Sequence, residues 1–532
     1  MSDETTNAVL GLTLTDAQQN STIYIPVREG MPVGGSVSAM RKSMDGEVLL
    51  CPTLRDVLEA RPSPFMLNNY HGGGFVSDED RVDLQAVHFA SRRSAGVGSQ
   101  NRLDALASDK ISGGYLHLPP CALRAGPRST IYVNPGSAQV AIVTCGGLCP
   151  GLNDVIRGIV LKCIDYGVPE KNIIGIRNGF HGFYSKKYKP VQLTRKMVDE
   201  IQLEGGTVLG TSRERADIRE VVKRLDLWKI DMLFVIGGPG SHAGAVAIQR
   251  QCEDCRVPCL VVAIPKSIDN DILLIDKTFG FETAVEEAQN ALMAAKVEAN
   301  SGYRGVGLVK LMGRRSGFIA VQASLASGLV DICLIPEVPF RIDAVVAYLE
   351  TILERKGHAV ICIAEGAAQD LMAAEGLMPE ASGTAATTNA AASGFSSGGD
   401  GDQHPYELHD VGAWLKSAIK RNCADVDVKY IDPSYIIRSV PTRSSDRILC
   451  RMLANGAVHA AMAGYTGVTV GLVNTHFVYL PIPLVIQAPR KVDPTGELWN
   501  RLRSSISQPC FDQPPPLRAN SLSPVSTPGR DW

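Results

Sequence analysis

No apolar stretch of the chain reaches the roughly 18 residues that a membrane-spanning helix needs, so no transmembrane segment and no membrane partner are expected. Charge of one sign is also missing: 53 Lys+Arg stand against 55 Asp+Glu, a net charge of −2. So balanced a chain carries no basic field to attract nucleic acid or anionic lipid. Thirteen cysteines in 532 residues are too sparse for a disulfide scaffold. Several, including Cys145, Cys333 and Cys362, lie inside apolar runs, the pattern of reduced, buried thiols in a cytosolic protein. The one cluster, Cys252-x-x-Cys255 followed by Cys259, lacks a second ligand pair at zinc spacing, so no zinc site is expected. The amino terminus, MSDETTNAVLGL, is acidic. It has neither the basic n-region of a signal peptide nor the Arg-rich character of a transit peptide. The final GRDW is not a peroxisomal Ser-Lys-Leu address. Cytoplasmic localisation is the expectation.

Apolar residues make up 45% of the sequence, which also holds 51 glycines; disorder throughout is excluded. At about 150 residues per domain, the length allows two to four domains. Residues 1–125 show weak periodicity and turn signals such as Arg61-Pro-Ser-Pro64 and His71-Gly-Gly-Gly-Phe75. They read as an N-terminal extension outside the chemical core. From Gln139 the pattern changes: VAIVTC (140–145), DMLFVIGG (231–238) and CLVVAIPK (259–266) are short apolar runs ending in loops, the first two followed by helical patterns. GVGLVKLMG (305–313), HAVICIAEG (358–366) and TGVTVGLVN (466–474) continue the series. Such alternation predicts an α/β fold, with a mostly parallel sheet covered on both faces. Ligands then sit beyond the carboxyl ends of the strands, where the glycine-rich loops fall. Residues 371–404 are Ala/Ser/Gly/Thr-rich and read as a surface insertion, and the Pro- and Ser-rich residues 491–532 read as a tail.

Three loops carry chemistry. Gly146-Gly-Leu-Cys-Pro-Gly-Leu-Asn-Asp154 lies between a strand and a helix; its glycines let backbone N–H groups approach a polyanion, and no Gly-Lys-Ser/Thr makes it an ordinary P-loop. Gly237-Gly238-Pro239-Gly240-Ser241-His-Ala243 fits a loose dinucleotide fingerprint, but the next apolar run ends in Ile-Pro-Lys and not in the acidic residue that would hold a ribose. Lys266-Ser267-Ile268-Asp269-Asn270-Asp271 sets two carboxylates two residues apart beside a hydroxyl and a lysine, a set that can be divided between proton abstraction and cation handling; an Asx-rich turn is the alternative. Arg213, Arg314 and Arg438 each adjoin or interrupt an apolar run and together could clamp phosphates. Gly394-Phe-Ser396-Ser-Gly398 has the hydrolase spacing but lies in the insertion, not at a strand-to-helix turn.

The ordered set GGLCPGLNDVIR, LGTSR, GGPGS, PKSIDND, KTFGFETAVEEA, KLMGRRSGFIA, IPEVPF and YIIRS resembles the 6-phosphofructokinase family, in particular its plant and trypanosomatid-type ATP-dependent branch, over about residues 124–490. The resemblance implies two three-layer αβα subdomains with mostly parallel sheets: an ATP-binding part over 126–266 and a fructose 6-phosphate-binding part over 267–490. It implies ATP-dependent phosphorylation of the C1 hydroxyl of fructose 6-phosphate, the glycolytic step to fructose 1,6-bisphosphate. Asp269 would take the hydroxyl proton, with Arg213 and Arg314 on the transferring group. Gly146, Arg213, Glu214, Gly238, Pro239, Gly240 and Ser241 would face ATP. The acceptor would meet Ser267, Ile268, Asp269, Met312, Gly313, Arg314, Glu365, Tyr435 and Arg438. Asp271 would lie near Mg2+. Gly240 and Lys266 mark donor choice: a glycine at 240 leaves room for ATP where pyrophosphate users carry Asp, while Lys266 is similar to the pyrophosphate-using pattern, which this ATP branch shares. Glu337 matches a position near an effector site in bacterial relatives, and a homo-oligomer (dimer or tetramer) is implied.

Two positions depart from the family pattern. Its Gly-Gly-Asp-Gly carries a magnesium-holding Asp where this chain has Pro239, which has no carboxylate, no N–H and a fixed φ that would reshape the loop. After Arg213, where the branch has Gly-Gly, stand Glu214 and Arg215. The alternatives are a catalytically impaired regulatory paralogue and a pyrophosphate-dependent enzyme.

Overall fold

The computed structural model describes residues 23–26, 48–66, 74–84, 115–118, 121–213, 216–376 and 408–513. Glu214, His71, Ser396, most of the low-complexity insertion and the tail beyond 513 lie outside the described residues.

In chain order, the strands of the two main sheets begin with β1 (Val48–Leu49), β2 (Arg81–Asp83), β3 (Cys121–Arg124), β4 (Val140–Thr144), β5 (Ile173–Ile176), β6 (Val191–Gln192), β7 (Met232–Gly237) and β8 (Leu260–Pro265). Then come β9 (Gly305–Leu311), β10 (Ile332–Leu334), β11 (His358–Ala364), β12 (Asp427–Ile431), β13 (Val468–Val473) and β14 (His476–Pro481). The helices used below are α1 (Leu152–Tyr166), α2 (Pro239–Asp254), α3 (Phe281–Ser301), α4 (Phe318–Ser327), α5 (Ser434–Ser439), α6 (Ser444–Met462) and α7 (Glu497–Ile506).

The larger sheet has the order β6-β5-β4-β7-β8-β13-β14-β3-β1, with β2 also on β3. From β5 through β13 its neighbours run parallel. The smaller sheet, β10-β11-β9-β12, is parallel throughout. Both are covered on two faces, which is why their strands read as unbroken apolar runs. Val140 and Ile142 of β4 enter one core with Ile156 of α1 and Leu453 of α6. Ala141 and Val143 enter the opposite core with Ala245 and Ile248 of α2. In the second sheet Val309, Val360 and Cys362 pack with Leu292 of α3 and Phe318 of α4, whereas Leu308, Ile361 and Ile363 pack on the other side with Leu349 and Leu415. Two αβα sandwiches result, as the sequence implied.

The chain does not divide where the sequence placed its boundaries. Helix α6 and strands β13 and β14 fall within 267–490 yet belong to the first sandwich, because β13 pairs with β8. Helix α7 lies beyond residue 491, but Trp499 and Leu502 are buried against the second core, so the Pro/Ser-rich composition that suggested a tail sets in only after it. Pieces of the extension enter the first sheet through β1 and β2 on β3.

One charge cluster fastens that extension. Asp78 accepts from Arg128 Nε at 2.8 Å and Tyr465 Oη at 2.6 Å, and pairs with Arg55. Arg128 is buried and lies 5.5 Å from the Tyr479 ring. Partial burial alone would raise the Asp78 carboxyl, but donation from Arg55, Tyr465 and Arg128 outweighs it and holds the pKa well below the usual carboxylate range. A depressed pKa stabilises the native state above pH 3.8 and ceases to do so as pH falls. Asp78→Ala is expected to lower unfolding free energy at pH 7 by about 2 kcal/mol, since the site is partly exposed but strands Arg128. Urea titration of the variant checks this; an unchanged midpoint would contradict it.

Candidate active site

Strand register decides what meets what. In the first sheet Thr144 of β4 stands opposite Ile236 of β7, and Gly237 of β7 opposite Pro265 of β8. The loops that follow, at Gly146, Gly238–Ser241 and Lys266, therefore leave the sheet along one edge. The segment ending in Arg213 is stitched to it. Gly146 N–H donates to Ser212 O at 3.1 Å, Thr211 Oγ1 to Gly146 O at 2.7 Å, and Thr144 Oγ1 to Gly210 O at 2.7 Å. Arg213 lies against Gly147, where an added Cβ would come 3.0 Å from its Nη2.

Helix α2 starts at Pro239, with Gly238 as its N-cap. Proline suits this first helical position, since its φ is already helical and the N–H it lacks would have no partner inside the helix. Pro239 is thus accommodated within the helix start, which brings no carboxylate to the edge but leaves a helix amino end pointing at it. One turn in, His242 is fully buried, with Nδ1 donating to Gly238 O at 3.0 Å and Nε2 3.1 Å from Thr469 Oγ1. Burial pulls its pKa down to about 4, so it is neutral at pH 7 and ties the helix start to β13.

The Lys266–Asp271 turn is a built object. Lys266 N–H donates to Gly237 O at 3.0 Å, and Ile268 packs against the cores of both sandwiches. Asn270 takes the left-handed conformation, φ 56°, which asparagine tolerates better than most residues. It is buried; its Nδ2 donates to Asp276 O at 3.1 Å and its Oδ1 accepts from Thr278 N–H at 2.9 Å. Thr278 Oγ1 donates to Ser267 O, and Ser267 Oγ to Asp271 Oδ1. The Asx-turn alternative therefore accounts for Asn270, and Asp271 also closes the turn through Ser267; the two carboxylates flank the asparagine.

A second edge faces this one. Leu311 of β9 stands opposite Ala364 of β11, and Val309 of β9 opposite Ile431 of β12. Met312–Arg314, Glu365 and the α5 residues Tyr435 and Arg438 therefore leave the second sheet together. Glu365 N–H donates to Leu311 O at 2.9 Å, and Gly366 N–H to Gly313 O at 3.1 Å. A Cβ on Gly313 would come within 2.4 Å of Ser316 O; only glycine fits that bend. Arg314 Nε lies 3.6 Å from Glu365 Oε1. Burial raises the Glu365 pKa, opposed by Arg314 and Lys310. On α5 the Arg438 guanidinium sits 4.6 Å from the Tyr435 ring. A bond from Ser316 Oγ to Asp269 O at 3.2 Å joins the two edges.

Every described residue that the family resemblance assigns to substrate or metal falls on one of these two edges or on the turn between them; Glu337 does not. Its Oε1 instead accepts from Gly317 N–H at 2.9 Å and Val492 N–H at 2.8 Å. Asn270, Thr278 and Ser316, which set the geometry, were not singled out. Asn270 had a visible signal in its tolerance of left-handed backbone; Ser316 had none, because its partner is 47 residues away.

A family model described as phosphofructokinase matches residues 139–461. The chain is 46% identical over 445 residues to ATP-dependent 6-phosphofructokinase 5, chloroplastic, of Arabidopsis thaliana, covering 82% of this chain and 76% of that protein. It is 41% identical over 392 residues to the ATP-dependent 6-phosphofructokinase of Trypanosoma brucei brucei, covering 72% and 75%. The solved pyrophosphate-dependent phosphofructokinase from Marinobacter aquaeolei superposes with a TM-score of 0.56 at 17% identity, over 74% of this chain and all of that one. That likeness speaks for the fold alone.

Behind the first loop, Asp154 opens α1 with Oδ2 accepting from Thr442 Oγ1 at 3.0 Å and Oδ1 3.4 Å from Arg447 Nε. Burial pushes its pKa up to about 6, against Thr442 and Arg447. A native state that holds the proton more tightly than the unfolded chain is favoured at low pH. Stability from this group is therefore fully present below pH 3.8 and is lost as pH rises through about 6. Asp154→Asn keeps an oxygen for Thr442 and cannot ionise, so urea midpoints measured across that window should lose this downward slope. A slope identical to the parent's would contradict the assignment.

Proposed function

The chain belongs to the phosphofructokinase family, and on that premise we propose that it transfers the γ-phosphoryl group of ATP to the C1 hydroxyl of fructose 6-phosphate, giving ADP and fructose 1,6-bisphosphate. The observation that carries this reading is the Ser316–Asp269 bond, which holds a carboxylate turn between an edge of glycine-rich loops and an arginine-bearing one. ATP phosphates would meet the N–H groups at Gly146 and the amino end of α2. Arg314 and Arg438 would hold the sugar phosphate in forked ion pairs. Asp269 takes the C1 hydroxyl proton as the oxygen attacks the γ-phosphorus; the β–γ bridging bond breaks and its electron pair leaves with ADP. Arg213 and Arg314 offset the charge that spreads over the transferring oxygens. Phosphoryl transfer needs positioning and cations more than covalent help.

The donor set at the edge fits Mg2+ in a minimal way. Asp271 supplies a hard oxygen, Pro239 supplies none, and among the described residues no group of three acidic, His or Cys side chains could cage a metal. Magnesium commonly binds through one or two carboxylates plus substrate phosphates and water, so Asp271 is the residue that would hold it. Bound there, it would draw negative charge off the phosphates. Homo-oligomerisation is supported by exposed apolar residues one turn apart, Met293 and Val297 on α3 and Ile448 and Met452 on α6.

The missing carboxylate at Pro239 favours a second reading, an impaired subunit that binds sugar phosphate and regulates active partners. Assays with ATP, fructose 6-phosphate and Mg2+ separate the two. The parent is expected to turn over, with pyrophosphate inert as donor. Pro239→Asp should lower the half-saturating Mg2+ by about tenfold or more, and Asp269→Asn should lower kcat by about 10²- to 10⁴-fold. A parent that is silent until Pro239→Asp restores turnover would make the regulatory reading the correct one.

A further inference from the structure

The segment between β14 and α7 runs from the Asp271 turn to the second core, where Val492 is buried. Pro489 bridges to Ile272. The next residue, Arg490, donates its backbone N–H to Asp271 O at 2.7 Å, inside the acidic turn. Its Nη1 donates to Ile275 O at 3.0 Å and to Asp276 O at 2.8 Å. Asp276 O is the same carbonyl that receives Asn270 Nδ2, so Arg490 and Asn270 fix one point of the turn from two directions. The Arg490 guanidinium also lies 4.8 Å from the ring of Phe318, the first residue of α4 and thus the end of the Met312–Gly317 loop. Two residues on, Val492 N–H and Gly317 N–H share Glu337 Oε1.

We propose that residues 489–492 are a strap that holds the Asp269 turn at a fixed distance from the Met312–Gly317 loop, with Arg490 its positioning residue and Glu337 its anchor on the second sandwich. The inference rests on the reading of the site as a sugar-phosphate kinase. Arg490 touches neither proposed substrate group; it acts through the carbonyls of residues 271, 275 and 276. The Ser316–Asp269 bond is a single hydrogen bond, whereas the strap adds four donors and a cation–π contact spanning the same gap. Misplacement of a reacting group by about 1 Å can cost about 10²-fold in rate, so a loosened strap should be read in kcat before it is read in binding.

The test compares the parent with Arg490→Ala and Arg490→Lys in steady-state kinetics and in hydrogen exchange of peptides spanning 267–276, both on the full chain. Arg490→Ala is expected to stay folded, to lose about 10²-fold in kcat with KM for ATP within about twofold, and to exchange faster in 267–276 but not in β7. Arg490→Lys, whose ammonium can reach the same two carbonyls, should recover most of the loss. If Arg490→Ala does not fold, Glu337→Ala cuts the strap at its other end and is read in the same way. Parental kcat together with parental exchange would overturn the proposal, as would a rate loss that only tracks the unfolded fraction. Exchange needs no turnover. A silent parent would therefore sink the kinase reading by itself, while unchanged exchange in the variants would sink the strap by itself.

Discussion

One short turn bears the mechanical problem of this fold. Lys266 to Asp271 leaves the first sheet, touches the second sandwich at Ile268 and Asp269 before the chain returns to the first, and must hold a carboxylate between them. Backbone alone could not keep such a segment still, since loops that link two sandwiches have few partners of their own. Here it is tied at each side: Lys266 N–H to Gly237 O on one strand, and Asp269 O to Ser316 Oγ on the other sandwich. Ile268 adds a side chain shared by both cores, so parting the sandwiches would expose it. The buried Asn270, bonded to Asp276 and Thr278, fills the inside of the turn.

What converges on that turn follows from parallel register. In a parallel sheet every strand delivers its following loop to the same side, so the glycine loops after β4 and β7 and the turn after β8 have no choice but to be neighbours. The second sheet repeats the arrangement with Arg314, Glu365 and Arg438. The polar chemistry is thus a consequence of apolar packing, as long as the strands stay buried on both faces. Local backbone needs are met one by one, by glycine at 313 and by proline at the first position of α2. Pro239 illustrates the separation of structure from chemistry: it serves the helix start well while supplying nothing to a cation.

Much of this was legible from residues. Unbroken apolar runs such as Val140–Thr144 and Leu260–Pro265 announced two-sided burial, and the loops at their ends announced the edge. The return of β13 to the first sheet was not legible, because a parallel strand looks the same whichever sheet it joins. Nor was α7, whose buried Trp499 and Leu502 were masked by the proline-rich composition that begins a few residues later. Strands β1 and β2 are too short, at two and three residues, to show a period. The bonds that join the edges, Ser316 to Asp269 and Arg490 to Asp276, link residues far apart in sequence and leave no local pattern.

Phosphoryl transfer in this protein depends on the position of Asp269 between two occupied edges. A crystal structure with a non-hydrolysable ATP analogue and fructose 6-phosphate would give the distance from the sugar C1 oxygen to the Asp269 carboxylate directly. Hydrogen-bonding distance, about 2.6–3.2 Å, with the nucleotide phosphates at Gly146 and the start of α2, is the expected result. A sugar bound away from the Arg314 loop, or a C1 oxygen facing away from Asp269, would contradict it.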